Sequence, residues 1–166
     1  MIRPLKRLLL RTRRAVKPAH LALGTYGETR ALQYLKRVER YSIVATNYRI
    51  PLGRGPSGRK IIAEIDIIAY DGQTLVFVEV KTRSSEEFVP AHAAVDLQKQ
   101  RHIARAAHRY RHVIKVLDEP YRYDVVTVVT HDGTAAVELI RGYFDDSVFL
   151  KGRYFMLHGP AGGPYF

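Results

Sequence analysis

Hydrophobic and polar positions recur along this chain with two different periods, and each change of period marks an element. Between residues 25 and 40 the apolar positions Ala31, Leu32, Leu35 and Val38 fall at helical spacing, which predicts a first helix. Glu28 precedes Ala31 and Leu32 by three and four residues, so it lies on the core-facing stripe, an unusual place for a carboxylate. A first-turn Glu interacting with the helix N-terminus accounts for that placement equally well. Residues 41–50, YSIVATNYRI, read as a strand, and residues 51–60, PLGRGPSGRK, as a Gly/Pro-rich basic loop. A second helix is expected over 91–111, with Val95, Ile103, Ala106, Ala107 and Tyr110 as its apolar stripe. Lys99 is four residues from both Val95 and Ile103 and points along that inward stripe, while Arg101, Arg105, His108 and His112 line another face. Residues 122–130, RYDVVTVVT, and 135–140, AAVELI, form further strands around a His131-Asp132-Gly133 turn.

The stretch AEIDIIAYDGQTLVFVEVKTR, residues 63–83, alternates with period two and reads as a hairpin. An Asp71-Gly72 turn makes Tyr70 face Gln73, Asp66 face Phe77 and Glu64 face Glu79. One face then carries Ile61, Ala63, Ile65, Ile67, Ala69, Val76, Val78 and Val80. The other carries Glu64, Asp66, Glu79 and Lys81 together with Ile68, Leu75 and Phe77. Shifting the register by two, with Gln73 and Thr74 in the loop, keeps the four charges together; an odd-length loop separates them. A solvated outer face would explain the alternation. Against it stand the large apolar residues on the charged side and two glutamates placed opposite each other, a destabilising arrangement. Lys81 offsets one acid. Converging carboxylates, with Glu28, call for a cation, and oxygen ligands with positions left for water suit Mg²⁺.

Composition narrows the functional classes. The 166 residues fit one domain, expected over residues 24–150, with a basic arm at 1–23 and a tail at 151–166. No internal repeat or second core is visible. No stretch approaches the roughly 20 apolar residues of a membrane span. The chain contains no cysteine, which removes thiolate metal sites and disulfides and suits a cytoplasmic protein. His108 and His112 lack the acidic partner of a zincin motif, so zinc is not expected. Gly53 and Gly58 have P-loop spacing, but Arg59 and Lys60 follow where Lys and Ser/Thr are required. The net charge is +11; seven bases and no acid occupy residues 1–27, leaving +4 for the remainder. Such an excess points to a polyanion, most often nucleic acid.

The charged residues also form an ordered set. Asp66, then Glu79-Val80-Lys81 after a turn, with Glu28 in the preceding helix, resembles the PD-(D/E)xK restriction-endonuclease-like nucleases, including archaeal Holliday junction resolvases. The chain is more closely similar to the small bacterial YraN-like family. The similarity rests on Gly27-Glu28, Asn47-Tyr48-Arg49, AEIDIIA where the family has GEIDLIA, LVFVEVKTR over residues 75–83, Lys99, and RYDVV where the family has RFDVV. It extends over residues 24–144. Ala63 replaces a usual glycine, the 51–60 loop is longer than the family's usual connection, and the basic N-terminal arm is additional.

The resemblance implies a restriction-endonuclease-like α/β fold, a central mixed sheet of about five strands flanked by helices. It implies Mg²⁺ or Mn²⁺ held by Asp66 and Glu79, with the Val80 carbonyl as a further ligand and Glu28 closing the site directly or through water. Asp66, Glu79, Lys81 and Glu28 would be the catalytic set, hydrolysing DNA phosphodiester bonds in branched or damaged structures. Lys81 would orient the attacking water or offset charge on the phosphorus centre. Glu64 is a partner for Lys81 or a ligand for a second ion; Lys99 contacts phosphate or pairs with one of the acids. Arg49, Arg54, Arg59, Lys60, Arg83, Arg101 and Arg105 are the candidate nucleic-acid contacts, with DNA favoured over RNA. A homodimer fits resolvase-like action on two strands. Two other readings remain open: a non-catalytic RNA- or ribosome-associated binding protein using the same basic surface, and a purely structural ion-pair network.

Overall fold

The computed structural model describes residues 19–84, 95–131 and 134–150. Most of the expected N-terminal arm and the tail at 151–166 lie outside these residues. The elements are α1 (Ala19–Arg37), β1 (Ser42–Arg54), β2 (Lys60–Asp71), β3 (Thr74–Ser84), α2 (Leu97–Ile114), β4 (Tyr121–His131), β5 (Thr134–Phe144) and a 3-10 turn (Asp146–Phe149). The strands form one sheet in the order β1-β2-β3-β4-β5. β3 and β4 are parallel and every other pairing is antiparallel. The parallel pair needs a crossover, which α2 supplies. This is the mixed five-strand, two-helix architecture of the restriction-endonuclease-like fold.

Each helix covers one face of the sheet. Ala31 and Leu35 of α1 pack with Ile67, Ala69, Val76, Val78, Val80, Val126 and Val128. On the other face, Ile103, Ala106, Ala107 and Tyr110 of α2 pack with Ile68, Leu75, Phe77, Tyr123 and Val125. The predicted stripe is buried as expected, but the helix expected from residue 91 starts at Leu97, so Val95 is buried ahead of it and residues 91–94 lie outside the described residues. Asp96 caps this helix by accepting the Lys99 backbone N–H at 2.8 Å.

Several expectations need correction. α1 starts at Ala19 rather than Thr25, because an isolated Gly24 costs a helix only about 1 kcal/mol relative to Ala and does not end it. Val38 is 61% exposed: the helix has ended at Arg37, and Arg40 takes φ 62 as the chain turns into β1. In the hairpin, Asp71 pairs with Thr74 and Tyr70 with Leu75, so Gly72 and Gln73 form the loop. Gly72 sits at the first loop position with φ 59, where a two-residue turn favours glycine. Asp71 stays in the strand, its carboxylate 2.8 Å from Arg122. The register is thus shifted by two from an Asp71-Gly72 turn, and its continuation puts Asp66 level with Glu79 instead of Phe77.

The predicted all-apolar face is also divided. Ala63 and Ile65 belong to the α2 side, whereas Ile67 and Ala69 belong to the α1 side. The β2–β3 ladder runs only as far as Ile67 opposite Val78. Beyond it β2 follows β1 alone, and the register places Asn47, at φ 51, opposite Asp66. Strand alternation reverses there on both strands: Ala45 and Tyr48, three residues apart, share the α2 side just as Ile65 and Ile68 do. A period-two reading carried through Asp66 cannot anticipate this.

α1 approaches β3 so closely at Gly27 that an added Cβ would lie 1.7 Å from Thr82 Oγ1. Gly27 therefore sets the height of the helix, and with it the position of Glu28, over the end of β3. Gly27→Ala should lower the melting temperature by about 5 °C or more, from roughly 1–3 kcal/mol of overpacking. An unchanged melting temperature would show that α1 does not need this close approach.

Candidate active site

The reversal at Asp66 fixes the site. Where β2 leaves β3, the Val80 N–H loses its ladder partner, and Asp66 Oδ2 accepts it at 2.8 Å. The carboxylate thus reaches sideways toward β3. Asp66 also lines a cleft of about 230 Å³ under α1, with Thr25, Glu28, Thr29, Leu32, Thr46, Asn47 and Ile67. Glu28 lies across this cleft, its Oε2 3.4 Å from Asn47 Nδ2. Its position on the inward stripe of α1 is what brings it there.

Glu79, on the next residue pair of β3, has a side chain only 4% exposed. Lys81 Nζ is 2.8 Å from Oε1 and Lys99 Nζ is 3.0 Å from Oε2. Lys99 approaches outside hydrogen-bonding geometry, so Oε2 is a buried oxygen held by charge but with no hydrogen-bond donor. Both lysines are one-third exposed and keep access to solvent. Burial, then repulsion from Glu79, pushes Asp66 up from 3.8 to about 7. The Val80 N–H and Lys99 oppose that rise, and Glu28 adds to it. Asp66 therefore feels the charge of both other acids. Among the described residues, however, no three Asp, Glu, His or Cys side chains close on one common point.

The other expected residues are distributed around this centre. Glu64 lies on β2 opposite Arg49, 3.5 Å from its guanidinium, with both side chains largely in solvent; it is not beside Glu79. Arg54, Arg59 and Lys60 are exposed at the β1–β2 turn, and Arg83 is half-buried near the end of β3. Arg105 is exposed on α2, whereas Arg101 donates Nε to the Val148 carbonyl at 2.8 Å and ties the 3-10 turn to the helix.

Two polar networks escaped the sequence reading. Asp124, 1% exposed, accepts from Arg122 Nε, the Tyr41 hydroxyl and the Gly142 N–H, and Arg122 also reaches Asp71. This network joins the β2–β3 turn to β4 and β5. RYDVV offered the signal, an Arg two residues before an Asp inside a buried strand. Asp146 accepts from the hydroxyls of Tyr121 and Tyr123 and pairs with His108 Nε2 at 2.8 Å. No spacing in the sequence announces that cluster.

Comparison with known sequences places these residues in a family. Residues 27–128 match the model of "Uncharacterised protein family UPF0102". A UPF0102 protein of Geotalea uraniireducens is 41% identical over 125 residues, covering 75% of this chain and 90% of the relative. One of Geobacter metallireducens is 39% identical over 124 residues, covering 75% and 93%. The chain belongs to the UPF0102 (YraN) family.

The raised Asp66 has a consequence for stability. Below about pH 4 folded and unfolded states both hold the proton. Between about 4 and 7 only the folded state does, so this group makes stability fall as pH rises, and the full penalty persists above 7. Asp66→Asn keeps an oxygen for the Val80 N–H and removes the ionisation. Thermal unfolding should show the variant melting above the unaltered protein at pH 8, with the difference shrinking towards pH 4. A variant equally or less stable at pH 8 would contradict the buried, repelled carboxylate.

Proposed function

We propose that the chain is a divalent-cation-dependent endonuclease that hydrolyses DNA phosphodiester bonds, with branched or damaged DNA as its substrate class. The observation that carries this reading is Asp66: a carboxylate held against its own electrostatics beside a second buried acid, at a cleft that Glu28 also lines. Structural ion-pair networks also perturb acids, but the two lysines that pair with Glu79 stay one-third exposed to solvent.

The residues fit Mg²⁺ or Mn²⁺, which needs one or two protein carboxylates and takes its other oxygens from water and phosphate. Asp66 and Glu79 would hold the cation, with Glu28 contributing through water. When bound, such an ion supplies Lewis acidity toward the phosphodiester and lowers the pKa of water. Asp66 must give up its proton to act as a ligand. Lys81, on the same strand as Glu79 and two residues on, would turn from the shared carboxylate toward the attacking water or the charge developing on the phosphate. Lys99 would orient Glu79 from the α2 side.

The basic excess supports a nucleic-acid partner through sequence-independent phosphate contacts. Non-catalytic nucleic-acid binding is the second reading, favoured by the pairing of Glu79 with two lysines and, among the described residues, the lack of a three-acid cluster.

Purified protein incubated with branched, single-stranded and duplex DNA should cleave in Mg²⁺ or Mn²⁺. Asp66→Ala, Glu79→Ala and Lys81→Ala should each lose about 10²-fold or more in rate. No cleavage, or cleavage undiminished in Asp66→Ala, would contradict the nuclease reading. DNA binding that survives all three substitutions without turnover would support the second. Mg²⁺ should also raise the melting temperature more at pH 8 than at pH 6, because Asp66 ionises as pH rises through about 7. No rise at either pH would contradict cation binding.

A further inference from the structure

The β1–β2 hairpin continues past the sheet. Its base is anchored on the α2 side by Ile50, Ala63 and Ile65, with Leu52 partly buried against them. Past Ala63 the alternation of buried and exposed residues stops. Lys60, Ile61 and Ile62 are exposed in succession, Ile61 at 38% and Ile62 at 49%, so neither face of the ribbon is covered. The end is nevertheless well defined. Arg54 pairs with Lys60 across the ladder. Gly55 N–H donates to the Arg59 carbonyl and Gly58 N–H to the Gly55 carbonyl, each at 2.9 Å. Pro56 occupies the second position of this turn, where its fixed φ is favoured. Gly53 and Gly58 adopt φ of 118 and 75, which few other residues tolerate. Arg54 closes the turn by donating to the Gly58 carbonyl at 2.8 Å.

This tip carries Arg54, Arg59 and Lys60, and no acid lies between Glu39 and Glu64. Three like charges on one short turn repel each other, and an isolated two-stranded ribbon is at best marginally stable. Neither feature benefits the free protein. Both suit a polyanion with a groove. The major groove of B-form DNA, about 12 Å wide, admits a two-stranded ribbon, whereas the deep, narrow major groove of A-form RNA does not.

Resting on the reading of the chain as a DNA-acting protein, we propose that the β1–β2 ribbon is a duplex-DNA arm. It enters a groove beside the reacting phosphodiester, with Arg59 and Lys60 neutralising phosphates. Its distance from the site is set by β2 itself. Asp66 and Lys60 are six residues apart on one strand, about 20 Å at extended spacing, which corresponds to roughly six base-pair steps. The substrate therefore needs a duplex flank of about that length.

Binding of the full-length chain to fluorescent duplexes, measured in EDTA across a salt series, tests this without cleavage. Arg59→Ala/Lys60→Ala should flatten the log–log salt dependence by about 2, since each neutralised phosphate contributes about 0.9. Arg59→Lys should retain the original slope. Affinity of the unaltered chain should fall steeply once the duplex flank drops below about six base pairs, and the double variant should lack that step. Both side chains are exposed, and matching melting temperatures will confirm that the variants fold. An unchanged slope and length profile in the double variant would overturn the arm while leaving the nuclease reading intact. Equal or tighter binding to single strands or RNA would overturn it as well. Failure of the unaltered chain to bind any DNA would overturn both.

Discussion

The structure turns on one backbone hydrogen bond made by a side chain: Val80 N–H to the Asp66 carboxylate. It stands where the β2–β3 ladder ends and β2 continues with β1 alone. A strand leaving a sheet exposes an unpaired N–H, and an unpaired buried N–H costs free energy comparable to a lost hydrogen bond. Satisfying it with an acid draws that acid into the protein beside Glu79. The charge repulsion this creates is held in place by the hydrogen bond, by Lys81 and Lys99, and by the packing on both sides. Backbone bookkeeping and site chemistry are therefore the same event.

The rest of the scaffold maintains that event. Gly27 lets α1 close on Thr82 of β3, which puts Glu28 over the cleft. The Asp71–Arg122–Asp124–Tyr41 network pins the opposite end of the β2–β3 hairpin, so the point where the two strands part is fixed from the turn. Asp146, tied to Tyr121, Tyr123 and His108, holds the 3-10 turn against β4 and α2, the helix that carries Lys99. Polar groups buried in this way specify one arrangement only when each is satisfied, and the acids of these two networks are.

Much of this was legible in the sequence, because period and charge conflicted in visible places. A Glu on the apolar stripe of α1, a Lys on the apolar stripe of α2 and charges inside a hairpin of β-branched residues each violate local patterning; Glu28 meets Asp66 at the cleft under α1, and Lys99 pairs with Glu79 from the α2 side. Five strands, two helices and the buried stripe of α2 followed from periodicity. The hairpin register did not, because Asp71-Gly72 and Gly72-Gln73 are both acceptable two-residue loops. The Asp71–Arg122 ion pair, made between strands fifty residues apart, accompanies the second. The split of the apolar face was also hidden, since the reversal at Asn47 and Asp66 arises from strand parting and a positive φ. Glu64 looked equivalent to Asp66 by alternation, yet it lies beyond the reversal and pairs with Arg49 at the surface.

Asp66 is thus the residue whose ionisation reports directly on the whole arrangement. Its carboxyl ¹³C shift, followed by NMR against pH with and without Mg²⁺, should titrate near pH 7 in the metal-free protein and move clearly lower when the cation is present. A midpoint in the ordinary range near 4, unmoved by Mg²⁺, would mean that the acid is neither repelled by its neighbours nor available to a cation.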